Sequence, residues 1–102
     1  MSSVSIQRYY PFMTTPTANH NPAPWTDRQG QYLAFIYAYT TIHRQAPAER
    51  DMERFFRTTP PSVHNMIKAL EQHGYIHRRP GVARSIQLLV PCELLPVLRP
   101  VA

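Results

Sequence analysis

The fold is decided by residues 58–89, which read TTPPSVHNMIKALEQHGYIHRRPGVARSIQLL. The first half has the apolar spacing i, i+3, i+4, i+7 of a helix with one buried stripe, formed by Val63, Met66, Ile67 and Leu70. A threonine able to cap the helix, Thr59, precedes two prolines suited to a first turn, and Gly74 stands where a left-handed C-terminal residue belongs. The segment therefore predicts a helix with a polar outer face over residues 58–73.

After Gly74 the pattern changes to that of a β-hairpin. Residues 75–79 and 84–90 are rich in strand-forming side chains, and the sequence PGVA between them supplies a turn. The hairpin tip is cationic because Arg78, Arg79 and Arg84 flank that turn. A polar-faced helix followed by a basic hairpin is the layout of a winged helix-turn-helix, in which the helix reads a DNA groove and the wing contacts backbone or minor groove.

Two helices are predicted upstream. Thr26 and Gln29 form a capping box for a first helix running from Asp27 to about Ile42. Its core face is expected to consist of Leu33, Ile36 and Thr40, with Tyr32 and Phe35 at the edge. Because residues 29–42 contain no charge, we expect the N-terminal arm or a partner chain to cover part of this helix. A homodimer through the first helix and the termini is the favoured assembly.

The second helix is expected over residues 48–56, as the positioning helix of the motif. Met52, Phe55 and Phe56 are predicted to face inward. The charged residues are predicted to face outward: Glu49, Arg50, Asp51, Glu53 and Arg54. The predicted fold class is thus α+β, mainly α, with three helices and a β-hairpin wing.

The chain divides into three parts by composition. Residues 1–24 are proline-rich and predicted to be an extended N-terminal arm, which packs on its own domain or docks on a second subunit. Residues 25–90 form the predicted winged-helix domain. Residues 91–102 are an apolar C-terminal tail broken by prolines, expected to lie along its own domain or along a partner.

Charge and cysteine content narrow the function classes. The 102 residues carry a net charge of +5, and between residues 57 and 90 five cations against Glu71 alone leave +4. A basic surface of this kind is typical of a protein that meets a polyanion. A single cysteine, Cys92, fits a reducing compartment, and no apolar run approaches the ~20 residues needed to cross a bilayer. We expect a soluble cytoplasmic, nucleoid-associated protein.

An ordered set of motifs resembles the N-terminal DNA-binding domain of the LexA repressors. The motifs are TxRQ at residues 26–29, SVH at 62–64, KALExxGYI at 68–76 and PGxxRxIxL at 80–88, and the resemblance covers about two-thirds of the chain. It implies a sequence-specific regulator of transcription that binds double-stranded DNA. Family members cleave themselves at an Ala-Gly bond by means of a C-terminal domain with a serine-lysine dyad. This sequence contains no Ala-Gly pair, and its one lysine, Lys68, lies in the predicted third helix, so we expect no enzymatic activity.

Candidate DNA contacts fall into two classes. Ser62, His64, Asn65 and Lys68 are expected to reach base edges from the third helix, Asn favouring adenine and Lys guanine. Contacts to the DNA backbone, or from the wing, are expected from Arg28, Arg57, Thr59, Arg78, Arg79 and Arg84. A structural salt bridge is the alternative role for Arg28. Pro61 stands where relatives often have a polar base-reading residue, so sequence preference should differ from the SOS operator.

Other chemistries have little support in the sequence. His73 and His77 straddle the helix-ending Gly74 and have no carboxylate or thiol at ligand spacing, so no metal site is predicted. No nucleophile elbow or glycine-rich phosphate loop is present, and no cofactor or small-molecule ligand is expected. The alternatives to direct DNA binding are a winged-helix adaptor that binds only proteins, and a regulator that binds DNA only together with a second protein.

Overall fold

The computed structural model describes residues 23–101, which form three helices followed by a small antiparallel hairpin. The helices are α1, Asp27–His43; α2, Glu49–Phe56; and α3, Pro60–Gln72. Strands β1, Ile76–His77, and β2, Gln87–Leu88, pair with each other, and a short 3-10 turn follows at Cys92–Leu94. This arrangement confirms the predicted winged helix-turn-helix fold. The predicted N-terminal arm lies outside the described residues, except for its last two.

The helix ends follow the local signals in the sequence. Thr26 Oγ1 accepts a hydrogen bond from the Gln29 amide at 3.1 Å, and Gln29 Oε1 accepts one from the Thr26 amide at 2.9 Å. At the start of α3, Thr59 Oγ1 accepts from the Ser62 amide at 3.3 Å. Gly74 has φ +78°, the left-handed conformation predicted for the end of α3. These contacts satisfy amide groups that the helices leave without internal partners.

The core forms where the three helices meet β1. It contains Trp25; Tyr32, Leu33, Phe35 and Ile36 of α1; Met52 and Phe56 of α2; Val63, Ile67 and Leu70 of α3; and Ile76 of β1. The rings of Tyr32 and Phe56 stack at 4.0 Å between centroids. The expectation that Tyr32 and Phe35 lie at the edge of the core was wrong, and so was the inward placement of Thr40, which is exposed.

The buried part of α1 is its first half, residues 30–36, and this explains the error. That half is enclosed on more than one side, so its burial is wider than the single stripe of a surface helix. The C-terminal tail forms one of these covers. A Cβ atom on Gly30 would stand 2.9 Å from Trp25 Cδ1 and 3.1 Å from Pro96 Cγ, so only glycine permits this close approach.

The tail is attached to α1 through the side chain of Gln31, which is only 7% exposed. Gln31 Nε2 donates to the Val97 carbonyl at 2.9 Å, and the Arg99 amide donates to Gln31 Oε1 at 2.8 Å. Leu95, Leu98 and Val101 pack against the core from the same segment. Over residues 91–101 the tail therefore lies along its own domain, and it covers α1 surface that the sequence suggested an N-terminal arm or partner would cover.

Asp51 does not face outward as predicted, because it is 8% exposed. It stands at the third position of α2, where its Oδ2 accepts the Ala48 amide at 2.8 Å and its Oδ1 accepts Arg54 NH2 at 2.8 Å. A buried carboxylate is stable only with such donors around it. The charge pattern of α2 alone could not distinguish this residue from its exposed neighbours.

The wing has a shorter ladder than the sequence predicted. Only Ile76 with Leu88 and His77 with Gln87 pair, whereas strands were expected over residues 75–79 and 84–90. The tip is a tight turn in which the Val82 amide donates to the Arg79 carbonyl at 3.1 Å and Gly81 has φ +74°. Ser85 Oγ accepts from the Arg79 amide at 3.0 Å and donates to the Val82 carbonyl at 2.8 Å. One serine side chain thus holds the loop that long strands would otherwise support.

The turn between α2 and α3 contains no glycine, yet it requires a left-handed residue. Arg57 adopts φ +53° and ψ +53°, and its amide donates to the Glu53 carbonyl. An L-residue with a side chain pays roughly 1–2 kcal/mol for this conformation.

Within residues 23–101, no helix combines the length and the apolar character needed to traverse a lipid bilayer.

Candidate nucleic-acid interface

The outer face of α3 exposes all four residues predicted to read bases. Val63, Ile67 and Leu70 are fully buried on the opposite side of the helix, so Ser62, His64, Asn65 and Lys68 face solvent. Successive helical residues differ by about 100° in direction, which places Asn65 and Lys68 near the middle of this face. Ser62 and His64, two positions apart, lie at its two opposite edges.

The edge that carries Ser62 borders an open cleft between α1 and α3, which we call the recognition cleft. It has a volume of about 470 Å³. Its lining comes from both helices and the turn before α3: Thr26, Arg28, Gln29, Tyr32, Thr58, Ser62, Asn65, Met66 and Ala69. The structure thereby brings Arg28 of α1 to the same surface as Ser62 and Asn65, which are more than thirty residues away in sequence.

Arg28 packs on aromatic rings instead of forming a salt bridge. Its guanidinium carbon is 5.8 Å from the ring centroids of both Tyr32 and Phe56. Among residues 23–101, Arg28 has no carboxylate within ion-pair distance, so the alternative role suggested for it finds no partner there. A guanidinium held over ring faces keeps its charge directed at the cleft.

The opposite edge of α3 approaches α2 through His64 and Glu49. His64 Nδ1 is 3.7 Å from Glu49 Oε2, while the imidazole remains about half exposed. The same Glu49 oxygen lies 3.3 Å from Arg78 NH1 of the wing. Glu49 therefore stands between a candidate base-reading residue and the hairpin, a role that sequence reasoning missed when it assigned Glu49 only to an exposed face.

Arg78 is engaged within the domain. Its Nε donates to Glu71 Oε1 at 3.1 Å and its NH1 to Glu49 at 3.3 Å, and the side chain is 23% exposed. These contacts tie the hairpin to α3 and α2 at once. The sequence assigned Arg78 to DNA because it is a cation that flanks the wing turn. In the structure its guanidinium is paired with two carboxylates of the same domain.

Arg84 is likewise held by the protein. Its NH1 is 3.1 Å from Asp51 Oδ2 and donates to the Tyr39 hydroxyl at 3.1 Å and the Ala46 carbonyl at 3.2 Å. The guanidinium carbon also lies 5.8 Å from the Tyr39 ring centroid. Three elements thus converge on one wing residue. No signal in the sequence could have identified this, because the partners lie 33 to 45 residues away.

The Asp51 carboxylate is held ionised by its surroundings. Burial by itself would raise its pKa, but the Ala48 amide and the Arg84 guanidinium, with smaller contributions from Tyr39 and Arg54, lower the pKa below its ordinary value of 3.8. The Arg84–Asp51 contact therefore stays charged at neutral pH.

The remaining candidate cations are exposed and without an ion pair among residues 23–101. Arg79 lies beside the turn at the wing tip, Arg57 caps α2, and Lys68 projects from the middle of α3. Thr59 is occupied as the N-terminal cap of α3, and its hydroxyl also donates to Ser62 Oγ at 2.9 Å. The predicted contact residues thus form two groups. Those on the outer face of α3 and beside it are exposed to solvent, whereas Arg78 and Arg84 are paired with carboxylates of α2 and α3.

Comparison with known proteins gives one consistent result. The family profile described as the LexA DNA binding domain matches residues 23–85. The chain is 41% identical over 64 residues to the LexA repressor of Thermosipho africanus, covering 63% of this chain and 32% of that protein. It is 39% identical over 74 residues to the LexA repressor of Thermosipho melanesiensis (71% and 37%) and 40% over 79 residues to that of Pseudothermotoga lettingae (76% and 39%). The chain thus spans about a third of the length of these relatives.

Proposed function

This chain belongs to the LexA DNA-binding domain family, and from that premise we propose that it is a sequence-specific double-stranded DNA-binding protein that regulates transcription. One observation carries the proposal: the matched residues 23–85 fold so that α3 presents Ser62, His64, Asn65 and Lys68 to solvent while its apolar residues are buried. A helix exposed in this way fits the major groove of B-DNA, which is about 12 Å wide.

In the proposed complex, α3 lies in the major groove and Asn65 and Lys68 meet base edges. Asn forms two hydrogen bonds with adenine, and Lys donates to guanine O6 and N7. Ser62 and His64 approach bases from the two edges of the helix. Because Glu49 lies against the His64 ring, we expect His64 to read a base only in the ring orientation that Glu49 permits.

Backbone contacts are proposed for the exposed cations on either side of α3. Arg79 contacts phosphate or a narrow minor groove from the wing, while Arg28 and Arg57 contact the backbone near the start of α3. Thr59 joins them by turning its hydroxyl hydrogen from Ser62 Oγ to a phosphate oxygen. Arg78 and Arg84 are given a different role from the one expected from sequence: they hold the wing against α2 and α3 through Glu49, Glu71 and Asp51.

Binding of the whole chain to labelled duplexes, measured by fluorescence anisotropy from low to moderate salt, tests this function. We expect affinity to fall steeply with salt, with a log-log slope of about −0.9 for each phosphate neutralised. Selection from a randomised duplex library should then enrich one motif. A chain that shows no salt-sensitive binding to any duplex would contradict the proposal; binding that appears only after a second protein is added would replace it with a co-dependent regulator.

The matched family is a family of DNA-binding domains, so we favour direct DNA binding over the adaptor alternative. We further propose that the chain binds DNA without catalysing a reaction, in the cytoplasm and on the nucleoid. A fluorescent fusion expressed in bacterial cells is expected to follow a DNA stain. A fusion that fills the cytoplasm evenly would contradict the nucleoid part of this proposal.

A homodimer is proposed through the second half of α1 and the termini. Tyr37 and Ile42 are exposed there, and Val97 of the tail is 83% exposed. These exposed apolar side chains are available for contact with a second copy, and two copies would give two half-sites on DNA. Light scattering should give twice the chain mass of 11.8 kDa for the parent and a single mass for Ile42→Glu. A parent that stays at the single mass at high concentration would exclude the dimer.

A further inference from the structure

The C-terminal tail brings a cation to the N-terminal end of α1 that the sequence did not assign to any site. Arg99 NH2 lies 2.8 Å from Asp27 Oδ2, in the first turn of α1. The main chain of Arg99 is fixed independently, since its amide donates to the buried Gln31 side chain. Arg99 therefore has a set position on the domain, although it lies outside the matched residues 23–85.

The position of Arg99 is next to the recognition cleft. A smaller cleft of about 130 Å³ is lined by Asp27, Arg28, Gln31, Phe56, Arg99, Pro100 and Val101. The two clefts share Arg28, whose guanidinium lies over Tyr32 of one and Phe56 of the other. Arg57 follows Phe56 directly and precedes Thr58 of the recognition cleft. Arg28 and Arg99 therefore border one surface, and the exposed Arg57 stands in the chain between a residue of one cleft and a residue of the other.

We propose that Arg99, together with Arg28 and Arg57, binds the phosphate backbone of duplex DNA along the Ser62 edge of α3. This inference rests on the proposed function and adds the tail to the interface. The Ser62 edge is opposite the His64 edge, which faces Glu49 and the wing. The two sugar-phosphate strands border the major groove on its two sides, so a helix lying in the groove has a strand next to each of its edges.

The distribution of free charge favours this edge. On the wing side Arg78 and Arg84 are paired with protein carboxylates, which leaves Arg79 as the exposed wing cation without an ion pair in the described chain. On the Ser62 side Asp27 is the one carboxylate of residues 23–101 within ion-pair distance of any of these three arginines, and its pair with Arg99 is exposed on both sides. An exposed ion pair is weak, so Arg99 can exchange Asp27 for a phosphate at little cost.

The test uses two variants that break the same ion pair in opposite ways. Arg99→Ala removes the cation, whereas Asp27→Asn leaves the cation and removes its competitor. If Arg99 binds phosphate, Arg99→Ala should weaken binding to every duplex by about fivefold, the effect of one exposed ion pair. It should also make the salt slope shallower by about 0.9. Asp27→Asn should tighten binding by a smaller factor, because it removes a weak competitor and a negative charge that repels the phosphate. Arg99→Lys should retain most of the affinity.

Two controls separate this effect from simple loss of charge or fold. Arg44→Ala removes one cation from the C-terminal end of α1, about 24 Å along the helix from Arg28, and should leave affinity for a duplex with a single half-site nearly unchanged. Thermal unfolding should shift only slightly for both variants, with the larger shift for Asp27→Asn because Asp27 also interacts with the N-terminal end of the α1 dipole. A purely structural pair would make both variants change affinity in the same direction, or not at all, and would overturn the inference while parent binding persists. If the unmodified chain itself does not bind duplex DNA, the proposed function is overturned as well.

Discussion

Arg84 NH1 lies 3.1 Å from the buried Asp51 Oδ2, and this contact joins the wing to α2. The same nitrogen donates to Tyr39 of α1 and to Ala46 in the loop between α1 and α2. Since the hairpin ladder has only two residue pairs, backbone pairing alone fixes its direction poorly. The position of the wing relative to α3 therefore depends on charged side chains, Arg84 on one side and Arg78 on the other.

Replacing Asp51 should change how stability depends on pH. Because the folded protein lowers the pKa of Asp51 below 3.8, its stabilising contribution is complete above that value and is lost as the pH falls through the lower, folded pKa. Asp51→Asn should therefore be less stable than the parent at pH 7 and lose less of its stability on acidification. Urea unfolding from pH 7 down to pH 2.5 measures this difference. Asp27→Asn is the matched control, and an equal change in both variants would contradict the buried role of Asp51.

The two neighbouring wing arginines should give different phenotypes. Arg79→Ala is expected to weaken binding to all duplexes by about fivefold without changing the melting temperature, because Arg79 is exposed and lacks an ion pair in residues 23–101. Arg78→Ala should lower the melting temperature, because it leaves Glu49 and Glu71 without their shared partner. Anisotropy and calorimetry on both variants decide the point; equal melting temperatures would refute the bracing role of Arg78.

Asn65 is expected to set sequence preference. Asn65→Ala should lose roughly 1–3 kcal/mol of discrimination at one base pair, the range for a bidentate contact, and retain its affinity for unrelated sequences. Selection from a randomised library with parent and variant measures this. Gln72→Ala is the control, because Gln72 also carries a side-chain amide but lies at the C-terminal end of the same helix face. A variant that enriches the same motif as the parent would exclude a base-reading role for Asn65.

Arg57→Gly should separate stability from binding. Glycine relieves a left-handed strain of roughly 1–2 kcal/mol, which exceeds its own entropic cost of roughly 0.5–1 kcal/mol. The free energy of unfolding should therefore rise by about 0.5 kcal/mol, while DNA affinity falls because a cation is lost. Urea unfolding and anisotropy provide the two measurements. A variant that is both less stable and equally tight in binding would contradict both assignments.

The sequence predicted those features that are encoded by neighbouring residues. The Thr26–Gln29 capping box, the buried stripe of α3 and the left-handed Gly74 all depend on contacts within a few positions, and all are present. Asp51 was predicted to face outward with the other charged residues of α2, and Arg84 was predicted to contact DNA because it flanks the basic turn of the wing. Their actual partners come from other elements, and no periodic pattern records a contact between residues 33 positions apart.

The candidate site was predictable to a similar extent. Exposure of Ser62, His64, Asn65 and Lys68 follows directly from the helical period, because the apolar positions between them must be buried. Whether an arginine is free or paired does not follow from its position near a turn. Arg78, Arg79 and Arg84 look alike in the sequence, and only the folded positions of Glu49, Glu71 and Asp51 distinguish them.

The attachment of the tail has a consequence for how this surface can vary. Gln31 holds the tail by the carbonyl of residue 97 and the amide of residue 99, groups that are the same for every amino acid except for the missing amide of proline. Substitutions at these two positions, other than proline at residue 99, can therefore change the charge and size of the side chain without detaching the C-terminal tail from Gln31. The protein carries, beside its first helix, a site where new contacts can be acquired by single changes that leave the folded framework intact.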